Sequence, residues 1–253
     1  MEMLRVEGAS LRYQAENGEI TAFEDISFSV EKGEFLSIVG PSGCGKSTLL
    51  SVIAGLLPAT GGSIFVKGER VRGVSPHIGY MLQRDTLLEW RTIRSNVLFG
   101  LEIRNALTPD AVRRADRLLE TYGLADFAQM YPRQLSGGMR QRAALIRTLA
   151  AEPDILLLDE AFSALDYQTR LAVTDDVHRI LKSEGVTALM VTHDIPESIS
   201  MGDRVMILSA RPACIREILP VEFGAPLAPL ERRSHPAFGP YFDRIWKELK
   251  QDE

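Results

Sequence analysis

The segment Gly40-Pro41-Ser42-Gly43-Cys44-Gly45-Lys46-Ser47-Thr48 fits the pattern G-x-x-x-x-G-K-[ST], whose chemistry is the capture of phosphate groups. Its glycines let the backbone curl until successive N–H groups point inward at phosphate oxygens. Lys46 then supplies a point charge for the β- and γ-phosphates of a nucleotide, and the Ser47 hydroxyl is a ligand for Mg²⁺. Cys44 occupies a position that the pattern leaves open and reads as a small filler. Modification of its thiol is expected to block nucleotide binding. Far along the chain, Ile155-Leu-Leu-Leu-Asp159-Glu160 is an apolar run ending in two carboxylates. Asp159 suits Mg²⁺, directly or through water, and Glu160 suits the water that attacks a γ-phosphate, as proton acceptor or as orienter. Alone, two such acids would simply solvate a strand end. Paired with a phosphate loop, they read as metal holder and base.

These residues can act only if the elements around them bring them together. Glu34-Phe-Leu-Ser-Ile-Val39 is a continuous apolar run suited to a buried strand. The helix expected over Lys46–Ala54 follows the loop, and its N-terminus adds a positive dipole end. Ile155–Leu158 and Thr187–Val191 are further buried strands, with a helix over Gln168–Lys182 between them. That is a βαβ unit and implies a parallel sheet. Acids ending a strand of such a sheet lie at its carboxyl edge, where open α/β sheets bind ligands. Ahead of this core, Leu4–Tyr13 and Thr21–Val30 alternate in hydrophobicity around the turn-like Glu16-Asn-Gly-Glu19, which predicts antiparallel strands. Residues 62–82 read as further short strands. Helical periodicity takes over from Pro109 to Ala150, broken near Tyr131-Pro132 and at Ser136-Gly137-Gly138. Residues 203–219 read as a closing hairpin. Phe238, Tyr241, Phe242, Ile245, Trp246 and Leu249 recur at helical spacing, as for a helix docked on the body.

Further marks share an order with the first two. Leu135-Ser136-Gly137-Gly138-Met139-Arg-Gln141-Arg142 leads into a helix, and Ser136 is either an ordinary N-cap or part of a second anion site at a helix N-terminus. His193, in Val191-Thr-His-Asp194, follows a buried strand and is either a structural hydrogen-bonding residue or a γ-phosphate contact. With Tyr13, Gln83 and Ser163-Ala-Leu-Asp166, these segments together resemble the ABC ATPases. The resemblance covers residues 13 to 194. It identifies Ser136-Gly137-Gly138 with the LSGGQ-type signature, Met139 standing where glutamine is usual. It implies that Tyr13 stacks on adenine, that Gln83 completes the Mg²⁺ shell, that Asp166 belongs to the D-loop and that His193 is the switch histidine. It also implies a P-loop core with a parallel sheet, an N-terminal antiparallel subdomain and a helical insertion. The core then spans about 1–85 and 151–220, the helical subdomain about 86–150 and a helical tail about 221–253. The cofactors are ATP and Mg²⁺. Two copies are expected to sandwich two ATP molecules, each offering its signature to the other.

Gln83-Arg-Asp-Thr-Leu87-Leu88-Glu89-Trp90-Arg-Thr-Ile-Arg-Ser-Asn96-Val97 and the Arg211-Pro to Trp246 tail resemble nitrate/sulfonate/taurine-type importers, with Glu89 in place of a usual proline. The resemblance implies a separate transmembrane permease, an indirect solute-binding protein and a place on the cytoplasmic face of the membrane. Leu87, Leu88, Trp90, Val97 and Phe99 are candidates to line a groove for a permease helix, or else to pack the helical region. The bulk properties agree. Lys plus Arg number 29 against 34 Asp plus Glu, a net charge of −5, which argues against nucleic acid as the main partner. The two cysteines, Cys44 and Cys214, form neither a metal spacing nor a disulfide framework. The N-terminus has no apolar signal core, and no apolar run approaches the roughly 20 residues that span a bilayer. A soluble ABC ATPase of DNA repair or translation, which usually carries two cassettes or a coiled-coil insertion, and an exporter subunit are the alternatives.

Overall fold

In the computed structural model, which describes residues 1–15 and 18–250, the two alternating stretches form β1 (Glu2–Ala15) and β2 (Gly18–Glu31). They pair antiparallel from Glu2↔Glu31 to Ala15↔Gly18. Residues Glu16 and Asn17 of the expected turn lie outside the described residues. The apolar run becomes β3 (Phe35–Val39), buried at every position, and leads through the glycine loop into α1 (Lys46–Ile53). Next come β4 (Gly61–Val66), β5 (Glu69–Arg70) and β6 (Ile78–Met81). The expected group of short strands over 62–82 divides between two sheets. β4 and β5 complete a four-stranded antiparallel sheet, order β2-β1-β4-β5. β6 leaves it for the parallel sheet, where it pairs with β7 and buries Ile78 and Met81.

The helical stretch consists of α2 (Ile93–Ile103), α3 (Pro109–Thr121) and α4 (Gly137–Leu149). Each starts at a hydroxyl that caps its first turn: Thr92 accepts from Ser95 N, Thr108 from Ala111 N and Ser136 from Met139 N. The chain continues through β7 (Ile155–Asp159), α5 (Tyr167–Glu184), β8 (Thr187–Val191), α6 (Ile195–Met201), β9 (Arg204–Leu208) and β10 (Ile215–Pro220). It ends with α7 (Pro229–Ser234) and α8 (Phe238–Leu249). The second sheet runs β10-β9-β3-β8-β7-β6. All its neighbours are parallel except β10, which closes the expected hairpin on β9. Continuous apolar strands are what a sheet covered on both faces requires. One face of β7 and β8 packs on α2–α5 through Leu156, Leu158, Ala188 and Met190, and the other packs toward α1 and the antiparallel sheet through Ile155, Leu157, Leu189 and Val191. The terminal helix docks through Ile245, fully buried beside Ile195, Ile199 and Ile207. Trp246, expected on that docking face, instead stands 48% exposed, stacked on Phe242 with Lys250 over its ring.

Candidate nucleotide site

The topology sets the carboxyl ends of β3, β7 and β8 side by side. β3 pairs with β8, and Thr192 N donates to Ile38 O at 3.1 Å. β7 pairs with β8 up to Asp159↔Val191, and Glu160 N donates to Val191 O at 2.9 Å. The phosphate loop, the two acids and the histidine loop therefore emerge at one edge. A cleft of about 560 Å³ opens there, lined by Ser42, Gly43, Gly45, Lys46, Ser47, Thr48, Glu160, His193 and Arg211.

The loop's curl depends on backbone that other residues avoid. Gly45 has φ 118°, and a Cβ there would stand 3.3 Å from Ala22 O. The Lys46 ammonium is turned into the loop, donating to Gly40 O at 2.8 Å and Pro41 O at 2.9 Å. Ser47 Oγ donates to Asp159 Oδ1 at 2.7 Å. This hydroxyl–carboxylate pair fits Mg²⁺, which takes oxygen ligands and is commonly held by one or two carboxylates plus substrate phosphates. Among the described residues no cluster of three His, Cys, Asp or Glu could hold a metal by itself. Glu160, with φ 46°, sits in the left-handed region, where a residue with a Cβ carries about 1–3 kcal/mol of strain that its surroundings must offset. His193 Nδ1 lies 3.3 Å from Glu160 Oε2, so the two form one wall of the cleft.

Other expected residues lie elsewhere. Tyr13 is 40% exposed on β1, outside the cleft lining. Gln83 donates through Nε2 to Ser163 Oγ at 3.2 Å, and Ser163 donates to Glu160 O at 2.9 Å. The glutamine is thereby linked through one hydroxyl to the backbone of Glu160 at the cleft. Ser136, Gly137 and Gly138 open α4 away from this cleft, with Ser136 and Gly137 exposed. Gly138 is buried, and a Cβ on it would stand 3.0 Å from Val173 Cγ2 and 3.1 Å from Thr169 Cγ2 of α5. Asp166 caps α5 by accepting from Thr169 N at 3.0 Å, and hydrogen bonds from Thr169 hold its carboxyl below the usual range. Cys44 is buried, and burial pushes its thiol pKa up against the lowering effect of Lys46. The folded loop shields this sulfur from reagents, whereas Cys214 is exposed.

The groove candidates separate in the same way. Leu87 and Val97 are buried in the helical core, Trp90 is 74% exposed, and Phe99 lines a cleft of about 350 Å³ with Tyr80, Thr86, Arg104 and Arg147. Buried Asn96 explains why the stretch holds its shape. Its amide accepts from Leu88 N at 2.7 Å and donates to Leu88 O, Arg91 O and Thr92 O. Glu89, which stands where the resemblance expects proline, pairs with Arg140 of α4 at 2.8 Å, alongside the Arg140–Asp85 bridge at the same distance.

Three site residues escaped the sequence reading. Tyr80 donates to Asp159 Oδ2 at 3.2 Å, and burial, with the neighbouring carboxylate, pushes its pKa to about 12. It therefore remains a donor. Glu197 is buried and takes the Thr192 hydroxyl on Oε2, while Thr192 Oγ1 accepts from Asp194 N at 3.0 Å. Burial pushes this carboxyl's pKa up. Asp194-Ile-Pro-Glu197 has the spacing of a capping box, which was available as a signal, yet the glutamate turns inward to brace the loop that carries His193. Arg211 donates through Nη2 to Gly43 O at 2.7 Å, and nothing in its local sequence places it there.

The family described as ABC transporter matches residues 23–163. An uncharacterised ABC transporter ATP-binding protein, YtlC of Bacillus subtilis, is 47% identical over 100% of this chain and 98% of its own. The taurine import ATP-binding protein TauB of Roseobacter denitrificans is 37% identical over 97% of this chain and 93% of its own. Among solved structures, the dimeric post-hydrolysis ATP-binding cassette MJ0796 bound to ADP and Pi superposes with a TM-score of 0.73 at 28% identity, covering 87% of this chain and 99% of that one.

Proposed function

The chain belongs to the ABC transporter ATP-binding family and hydrolyses ATP with Mg²⁺, and from that premise we propose that two copies drive a separate permease importing a small solute. One observation carries the reading: Ser47, bonded to Asp159, shares a single cleft at the phosphate loop with the Glu160–His193 pair. A taurine importer's ATP-binding subunit is similar over nearly the whole chain, which favours import and a sulfonate-, taurine-, nitrate- or pyrimidine-like solute.

In this proposal the amides of Gly40–Thr48 surround the phosphates and Tyr13 stacks on the adenine. Lys46 exchanges two backbone carbonyls for phosphate oxygens. Because ammonium to phosphate is a full charge pair and ammonium to carbonyl is not, binding favours the exchange. Ser47, Asp159 and Gln83 hold Mg²⁺, which supplies charge neutralisation when bound. Glu160 orients or deprotonates the attacking water, and His193, held by Glu160, steadies the terminal phosphate. The exposed N-terminus of α4 is turned from its own cleft, so a second copy presents Ser136, Gly137 and Gly138 to the phosphates, with Asp166 near the shared interface. Closure moves the helical part, about 86–150, against the core of about 1–85 and 151–220, with the tail of about 221–253 docked on the core. Trp90 and Phe99 then meet the permease, with Leu88 half-buried in the same stretch as Trp90. No described helix is long and apolar enough to cross a membrane. In the proposal the chain is a peripheral subunit on the cytoplasmic face, with a solute-binding protein acting through the permease and no role for nucleic acid.

Purification of the tagged chain from detergent-solubilised membranes tests this. A stoichiometric polytopic permease, with a solute-binding protein of the importing type, is expected by mass spectrometry. Recovery with nucleic-acid or ribosomal partners, or with an export channel, would leave the ATPase and overturn the importer.

A further inference from the structure

Arg211 belongs to the loop between β9 and β10, and that loop is fixed rather than free to swing. Ala213 N donates to Ala22 O at 3.0 Å, Glu24 N donates to Ala213 O at 3.0 Å, and Cys214 N donates to Ser209 Oγ at 3.0 Å. The guanidinium arrives at the apex of the phosphate loop, where Nη2 donates to Gly43 O at 2.7 Å. It lines the same cleft as Lys46, Ser47, Glu160 and His193. Among the described residues no carboxylate pairs with it. Arginine carries five N–H donors in a rigid fork, of which this bond uses one. The fork geometry matches phosphate oxygens, and Arg and Lys serve phosphate differently: one by a planar set of donors, the other by a compact charge.

We propose that Arg211 is a second phosphate-binding cation of the nucleotide site, keeping Nη2 on Gly43 O while its remaining donors reach the terminal phosphate of ATP. The proposal rests on the ATP-binding reading of the cleft. The terminal phosphate is the target because Arg211 shares the cleft with Glu160 and His193, where the hydrolytic chemistry gathers. Lys46 enters from the floor of the loop and Arg211 from the β9–β10 side, so two cations flank the phosphates. A contact of this kind discriminates ATP from ADP. A mere brace of Gly43 would serve both nucleotides alike.

The test uses the full chain and measures dissociation constants for MgATP and MgADP by fluorescent-nucleotide displacement. Wild type, R211K and R211M are compared, with thermal melts to establish that each is folded. R211M keeps most of the aliphatic stem and removes the charge. It is expected to weaken MgATP by about tenfold, the scale of one charge-assisted hydrogen bond, and MgADP by no more than about twofold. R211K should recover part of the lost MgATP affinity, since charge returns without the fork. Unchanged MgATP affinity in R211M overturns the proposal. So does equal weakening of both nucleotides with no rescue by lysine, which is what a brace of the loop produces. Failure of the wild type to bind MgATP would instead refute the nucleotide reading on which the proposal stands.

Discussion

Acidification should destabilise this protein through one buried histidine. His178 lies on α5 near Phe35, with Nε2 enclosed and without a hydrogen-bond partner among the described residues. Burial is the main reason its pKa falls from 6.5 to about 4; Arg232 and Lys182 lower it further, while Asp203 and Asp175 oppose them. The sign follows from proton counting. Below pH 6.5 the unfolded chain binds a proton that the folded chain refuses, so stability falls as pH falls, until the folded pKa is reached. At about 1.36 kcal/mol per pH unit, the interval from 6.5 to about 4 corresponds to about 3 kcal/mol. That is a large fraction of the 5–15 kcal/mol that typically holds a domain together. The perturbation is His178→Met, which keeps an apolar side chain of similar size and cannot bind the proton. Urea unfolding of both proteins at pH 7.5 and 4.5 gives the readout, with equal m-values as the condition for comparison. Carboxylates that titrate in the same range act on both proteins and cancel in the difference. The two should be of similar stability at pH 7.5, and the variant should be more stable by about 2–3 kcal/mol at pH 4.5. Parallel pH profiles would refute the reasoning, and so would a wild type that gains stability on acidification.

Glu160→Gln should bind MgATP, lose about 10²–10⁴ of turnover and accumulate as a closed dimer in light scattering; near-normal turnover would remove Glu160 from its role as base. Gly138→Ala brings a Cβ within 3.0 Å of Val173 Cγ2. Overpacking of about 1–3 kcal/mol outweighs the gain of up to about 1 kcal/mol in helix propensity, so the melting temperature should fall; an unchanged one would mean that α4 and α5 can move apart freely. Trp90→Ala removes a side chain that is 74% exposed, so basal ATPase and stability should hold while transport by the reconstituted complex is lost, and unimpaired transport would sink its contact with the permease. A maleimide applied to the native chain should label Cys214 first and leave Cys44 until unfolding, because Cys44 is buried and its thiol is pushed toward the unreactive protonated form. Equal labelling of both in the native state would contradict the packing of the loop.

The candidate phosphate- and metal-binding residues were legible in the sequence because their pattern depends on near neighbours. Gly40–Thr48 needs only a strand before it and a helix after it, and both follow from apolar runs a few residues long. Asp159 and Glu160 end a strand for the same reason, and the βαβ spacing makes the sheet parallel without reference to anything distant. Residues whose partners lie far away in the chain could not be read. Tyr80 meets Asp159 only because β6 joins β7, which the pattern over 62–82 did not reveal. Glu197 has the spacing of a capping box, and only the fold shows that its carboxyl turns inward to Thr192. Leu87 and Val97 read equally as groove lining or as packing of the helical region until burial places them in the core, while Trp90 remains outside. Arg211 reaches Gly43 across 168 residues, through a strand order that sets β9 beside β3. Periodicity and turn chemistry act over a few residues and are written locally. Strand order and side-chain burial arise from one global packing of apolar surface, so they exist only once the whole chain has folded.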